Sequence, residues 1–306
     1  MYKIVDSTPD KHFKLPYEVH LTDIEFSNIE LLKSEIYKYY KLEQDYDLAK
    51  QSVIDFKSAM YRGCHEISLH NFDDEIYRYE IVSKLSLLIF NSLNLLKKYH
   101  ENIIQYGKNE EIKCDLLSDI TNKKNTYVDS ITTIRKKEIA IGEAIRNYCQ
   151  HAAIPTENCT YGGDQDRTTK QFFVKFSLRL PTSKILKAKI QRRNRKIIES
   201  EDKAIYDLHD VVDCYFDAIT DIHFQSRKIL LPYINQNINK VSNLIEKYTI
   251  EFKENNHLNP TLQVTKNNDG FFFITLGSLP TLIKYLSAKN DSTPCYSARV
   301  ERRTYY

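Results

Sequence analysis

Apolar side chains recur every three to four positions along most of this chain, and that period predicts long helices. Ile24, Ile29, Leu32, Ile36 and Tyr40 make the first stripe. Thr22 and Glu25 stand ahead of it at the spacing of a capping box, in which hydroxyl and carboxylate each satisfy a free backbone N–H. This helix is expected to pass Leu48 and Met60 and to end near Gly63. Val82, Leu85, Ile89, Leu93 and Leu96 predict a second helix that starts near Asp73 or Asp74 and ends before Gly107. A third, from Tyr127 to Ala153, carries Tyr127, Ile131, Ile134, Ile141, Ile145 and Tyr148. Pro155 stops it, because proline lacks an N–H and disfavours helix in the residue before it. Leu208, Val212, Tyr215, Ile219 and Ile222 predict a helix over Ser200–Lys228, which Pro232 breaks or restarts before another runs to Glu254.

The remaining stretches have other patterns. Residues 1–20, interrupted by Pro9 and Pro16, read as irregular, and residues 155–169, holding Gly162 and Gly163, read as a surface loop. The apolar run Phe172–Leu178 reads as a strand. Leu262 to Leu276 reads as a hairpin about Asn268-Asp269-Gly270, residue types that accept a positive φ. A short helix to Leu286 and a polar tail from Ser287 follow. The expected fold is mainly α, a long-helix bundle with a small β-hairpin near the C-terminus. The expected division is an N-terminal helical segment over residues 1–66, a helical core over 70–256, and a hairpin and tail over 258–306, either as separate parts or as one domain.

Composition agrees with this pattern. Only 7 Gly and 8 Pro interrupt 306 residues, so helix breakers are scarce. With 42% hydrophobic and 28% charged residues the chain is expected to be globular. A net charge of +3 does not mark a nucleic-acid binder, but the charge is uneven. Lys187, Lys189, Arg192, Arg193, Arg195 and Lys196 form a basic run suited to RNA phosphates. The 6 Cys lack any Cys-x-x-Cys pair and fit neither a zinc site nor a disulfide framework. They point instead to the reducing cytoplasm. No signal peptide and no apolar run long enough to span a membrane is evident.

The chemistry concentrates in Arg146-Asn147-Tyr148-Cys149-Gln150-His151. Asn147 and His151 are four apart and share a helix face. Arg146 lies about 140° from His151 on the wheel. Metal-independent RNA cleavage needs such groups. A ribose 2′-OH must lose a proton and the departing 5′-oxygen must gain one, and histidine does either near neutral pH. A guanidinium stabilises the charge that grows on the phosphoryl oxygens. An amide orients the imidazole or holds a phosphate oxygen. Tyr148 falls on the apolar stripe and reads as core. Cys149 has no visible third group to make it a nucleophile.

Arg-Asn-x-x-x-His at a helix end, followed by Ala152-Ala153-Ile154-Pro155, resembles the Arg-x4-6-His signature of HEPN-domain ribonucleases (higher eukaryotes and prokaryotes nucleotide-binding). Two weaker similarities accompany it. Glu80–Tyr99, with Phe90-Asn91-Ser92 inside, resembles the family's earlier core helix, and Tyr215–Arg227 resembles a later one. The resemblance spans residues 70–230 and leaves out 1–65 and 258–306. It implies a cofactor-free endoribonuclease hydrolase of HEPN type, a toxin or antiviral-defence effector. Its homodimer would bring Arg146, Asn147 and His151 of two copies to one composite cleft, and His223 and Arg227 would support the motif helix. RNA is the implied substrate, and an antitoxin or defence-system protein a further partner. The alternative is a non-catalytic RNA- or nucleotide-binding helical module, or an interaction partner in a defence system.

One further cluster remains. Asp210, Asp213, Asp217 and Asp221 follow helical spacing and, with His209, could suggest a divalent-metal site. A plain solvated face is the expectation, with an acidic patch for a basic partner as the other option.

Overall fold

A computed structural model describes residues 2–6, 18–69, 75–108, 126–151, 158–165, 168, 172–255, 262–266, 274–275 and 278–291. The fold is mainly α. Helices α1 (Asp23–Leu69), α2 (Glu75–Lys108) and α7 (Leu208–Glu254) are long, and α3 (Thr126–Thr132), α4 (Lys136–His151), α5 (Thr182–Lys187), α6 (Arg192–Ser200) and α8 (Ser278–Asn290) are shorter. Among the described residues, strands β1 (Tyr2–Asp6), β2 (Glu18–Leu21), β6 (Leu262–Lys266) and β7 (Ile274–Thr275) make one antiparallel sheet in the order β2-β1-β6-β7. Strands β3 (Asn158–Gln165), β4 (Phe172–Pro181) and β5 (Ile205–Asp207) make another in the order β3-β4-β5. No helix among the described residues is long and apolar enough to cross a membrane.

The chain divides into two compact units. One gathers β1, β2, α1 through Gln44, α7 from Arg227, β6, β7 and α8. Its core joins Ile4, Leu21 and Val264 of the sheet to Phe26, Ile29, Tyr248 and Phe252 of the helices. The other gathers α1 from Asp45, α2 to α6, the second sheet and α7 through Ser226. Here Tyr46, Phe56, Leu85, Ile89, Leu93 and Tyr215 are among the buried residues. Each unit draws on separate stretches of chain, so the two interleave in sequence.

Several elements depart from the sequence pattern for identifiable reasons. The capping box forms: Thr22 N–H donates to Glu25 Oε2 at 2.9 Å and Glu25 N–H to Thr22 Oγ1 at 3.2 Å. Helix α1 then runs past Gly63 to Leu69, with Gly63 facing Ile81 inside the helix rather than stopping it. The expected third helix is two. Ser130 and Thr133 hydroxyls bond back to the carbonyls of Tyr127 and Ser130, competing with the helical ladder, and Arg135 takes a positive φ of 38°. Helix α7 starts at Leu208 instead of Ser200 and passes through Pro232 unbroken. Pro232 and Lys228, whose carbonyl loses its N–H partner, are both exposed, so water can serve that carbonyl. Leu230, Ile234, Val241, Tyr248 and Phe252 meanwhile keep the buried stripe in phase. Residues 2–6 and 18–21 are strands, not irregular, and 158–165 is a strand, not a loop. Phe172–Leu178 lies in β4, and β6 pairs with β7 antiparallel as the hairpin reading requires. Helix α8 continues to Asn290, past the expected end at Leu286. Pro155 and the turn Asn268-Asp269-Gly270 lie outside the described residues.

The aspartate face of α7 is not solvated throughout. Asp213 and Asp217 are buried. Asp213 accepts from Lys57 Nζ at 2.7 and 2.8 Å, and Asp221 pairs with Arg135 at 2.6 Å. Burial nonetheless pushes the Asp213 carboxyl up, against the pull of His209 and Lys57. Among the described residues, no three His, Cys, Asp or Glu side chains are grouped to hold a metal ion.

Helices α4 and α7 approach closely at Gly142. A Cβ there would lie 2.3 Å from Cδ1 of Tyr215, whose ring is fully buried. Gly142→Ala should therefore lower stability by about 1–3 kcal/mol through overpacking. Thermal or urea unfolding of the variant checks this, and an unchanged midpoint would contradict the close approach.

Candidate functional site

The motif side chains share one sector of α4. At about 100° per residue, Arg146, Gln150, Asn147 and His151 follow one another around the helix, and Glu143 lies in the same sector one turn earlier. Tyr148, Ile145, Ala144 and Ile141 occupy the buried side, as the apolar stripe requires. The expected core role of Tyr148 therefore holds.

Arg146 does not swing free. Its Nε donates to Asn94 Oδ1 of α2 at 2.8 Å, and its Nη1 donates to Asn147 Oδ1 at 3.2 Å and to Gln150 Oε1. Asn147 and Gln150 stand between Arg146 and His151 on the wheel. The guanidinium thus bonds to the two side chains that lie between it and the histidine on the wheel. A guanidinium has five N–H donors, and these bonds use those of Nε and Nη1. Nη2 makes no hydrogen bond among the described residues. His151 is the last helical residue and is exposed. Asn147 holds the arginine, and its carbonyl oxygen is therefore turned away from orienting the imidazole.

One turn earlier sits a second polar group. Glu143 Oε1 lies 3.3 Å from His100 Nδ1 of α2, and its Oε2 accepts from Asn194 Nδ2 of α6 at 3.2 Å. Burial alone would raise the Glu143 carboxyl. The bonds from His100 and Asn194 more than offset that and hold it below its ordinary value.

Asn194 fixes where the basic run lies. It is 3% exposed, and it stands four residues before Ile198, also buried. These two form the inner face of α6, docked on α4, while Arg192, Arg193 and Lys196 point outward and Arg195 is half-buried. Lys187 and Lys189, just before α6, are exposed as well. So the structure brings this cationic stretch onto the same helix that carries the motif.

His223 and Arg227 have other company. The His223 ring stacks on Tyr46 with centroids 3.7 Å apart, and its Nδ1 lies 2.8 Å from Tyr99 Oη. Arg227 belongs to the other unit, where it pairs with Glu43. Cys149 is held as a thiol, since burial pushes it up to about 12. A protonated thiol is a poor nucleophile.

Sequence reasoning missed Asn94, His100, Glu143 and Asn194. A faint signal existed for Asn194, the one uncharged residue between Arg192 and Lys196, in helical phase with Ile198. Asn94 and His100 gave none, because each sits beside an apolar stripe and looks like an ordinary helix-surface residue.

No family model, no curated protein and no solved structure matches this chain.

Proposed function

We propose that the chain is a metal-independent endoribonuclease of HEPN type that cleaves RNA by attack of a ribose 2′-OH on the adjacent phosphorus. The observation that carries this reading is the Arg146 guanidinium. Three side-chain acceptors hold it in place, Nη2 bonds to none of the described residues, and the exposed His151 lies beyond Asn147 on the same side of the helix. Fixed donors of this kind stabilise developing charge without reorganising during the reaction.

In the proposed reaction the 2′-OH loses its proton to an imidazole and its oxygen bonds to phosphorus. The P–O5′ bond breaks, and the leaving oxygen takes a proton. The products carry a 2′,3′-cyclic phosphate and a 5′-OH. Arg146 Nη2 donates to a non-bridging phosphoryl oxygen, and Asn147 keeps the guanidinium aimed. One motif supplies one imidazole, whereas the reaction uses a base and an acid. A homodimer with His151 of two copies at one cleft supplies both. The helix carrying Arg192, Arg193, Arg195 and Lys196 is docked on the motif helix through Asn194, which favours binding of the RNA backbone beside the site.

This chemistry suits a cytoplasmic toxin or antiphage effector kept in check by an antitoxin or defence-system partner. The alternative is a non-catalytic RNA-binding module. It draws on the lack of any described hydrogen-bond partner for His151, since a working base is normally oriented.

The test is incubation of the purified protein with RNA in EDTA, followed by end-group analysis. Cleavage giving 2′,3′-cyclic phosphate and 5′-OH ends is expected. Products with 5′-phosphate ends, or loss of cleavage in EDTA, would refute the mechanism. Binding without cleavage would favour the alternative.

A further inference from the structure

We infer that Asn94 of α2 is a positioning residue for the site: it fixes the plane of the Arg146 guanidinium so that the Nη2 edge faces the substrate phosphate. Its effect on cleavage rests on the ribonuclease reading, but its effect on Arg146 does not.

The argument begins with the amide. Asn94 Nδ2 donates to the backbone carbonyl of Phe90 at 2.9 Å. A carbonyl only accepts, so the NH2 end of the amide must face it, and the oxygen end is thereby turned outward. That oxygen receives Arg146 Nε–H at 2.8 Å. The orientation of the amide is therefore set by the helix backbone and not by the arginine. Asn94 sits on a 34-residue helix, beside the stripe of buried residues that includes Leu93 and Leu96, so its support is rigid.

Nε lies on the stem of the guanidinium, and the bond to it decides rotation of the plane. Asn147 and Gln150 bind Nη1 from the same helix as Arg146, so they can follow its side chain. Asn94 is the acceptor that comes from another helix. It ties the guanidinium to α2 and leaves Nη2 as the edge for an anion. A planar fork held on two sides keeps that edge in one direction, which is what recognition of a phosphate needs.

The experiment uses full-length protein labelled with [15N]arginine, with the Arg146 Nε–H signal assigned by its disappearance in Arg146→Lys. Asn94→Ala, Asn94→Leu and Asn94→Asp are compared with the wild type and with His151→Ala. In the wild type the Arg146 Nε–H should exchange slowly with water. In Asn94→Ala and Asn94→Leu it should be lost to fast exchange, and in Asn94→Asp, which keeps the acceptor for Nε but loses the bond to Phe90, it should return in part. Cleavage should fall about 10- to 100-fold in kcat for Ala and Leu, with KM within about a factor of two, and fall less in Asp. Melting midpoints check that each variant folds.

An Arg146 Nε–H signal unchanged in Asn94→Ala would overturn the inference. So would unchanged kcat in Asn94→Ala while His151→Ala is inactive. If His151→Ala instead cleaves like the wild type, the histidine-dependent mechanism proposed for the site fails. The exchange of the Arg146 signal then decides alone whether Asn94 fixes the guanidinium.

Discussion

Alanine at position 151 is expected to lower RNA cleavage by about 10²- to 10⁴-fold, the range for loss of a positioned general acid or base. Stability should change by less than about 1 kcal/mol, as for other exposed positions near a helix end. The two expectations belong together. His151 is exposed, ends α4 and makes no hydrogen bond among the described residues, so the fold does not lean on it. A loss of activity at unchanged melting midpoint then reports on chemistry. Arg146→Ala is a weaker test, because it would leave Asn94, Asn147 and Gln150 without their shared donor and disturb the packing of α4 on α2. Initial rates on a fluorescent RNA in EDTA, alongside unfolding curves, make the comparison. Cleavage by His151→Ala within threefold of the wild type, as an order-of-magnitude threshold of about 0.6 kcal/mol, would remove histidine from the mechanism.

The second large effect concerns folding. Glu43→Ala is expected to destabilise the protein by about 3–5 kcal/mol. Glu43 is 1% exposed and Arg227 8%. Their bond is bidentate: Nε donates to Oε1 at 2.9 Å and Nη2 to Oε2 at 2.7 Å. Tyr39 Oη adds a third donor to Oε1 at 3.0 Å, and burial together with the adjacent Glu43 charge raises the Tyr39 phenol well above its ordinary value. Arg227 also reaches Asp291 at 3.5 Å, but that carboxylate is largely exposed and replaces little of what Glu43 supplies. Removing Glu43 leaves a guanidinium inside without its main counter-charge. Replacing both partners, as in Glu43→Leu with Arg227→Met, should recover most of the loss, since the pair gains little over well-packed apolar groups. Urea unfolding of the two single variants and the double variant separates these contributions. A single-variant loss below about 1 kcal/mol would contradict the burial described here.

Much of the helical layout could be read from periodicity, because α1, α2 and α7 repeat their apolar positions over many turns. What failed was local punctuation. Gly63 and Pro232 were read as boundaries, yet the stripes on either side stay in phase and tertiary packing carries the helices through. The opposite error occurred at residues 133–135, where the apolar stripe of Ile131, Ile134 and Ile141 masked a break made by hydroxyl side chains and a positive φ. Strand β1 was invisible because it is short and one of its two partners is remote: Tyr2 pairs with Lys266 as well as with Leu21. At the site, the motif itself was plain, and so was the basic run. Their companions were not. Asn94 and His100 matter only because α2 lies against α4, and Asn194 only because α6 does. A sequence window has no access to such contacts. The aspartates of α7 were misjudged for the same reason, since Lys57, the partner that buries Asp213, is 156 positions away.

Strand β1 also bears on how the protein is made. It lies between β2 and β6, with Ile4 opposite both Val19 and Val264. The pairing with β2 is available early in translation, but the pairing with β6 must wait until the segment Leu262–Lys266 has left the ribosome. During that interval β1 presents an unpaired edge, the kind of surface that recruits other extended chains. Asn94, Glu143, Arg146, His151 and Asn194 all precede that closing strand in the chain. A nascent chain therefore carries every residue of the proposed site before its first sheet is complete, and long-range strand pairing of this kind sets a slow step in folding.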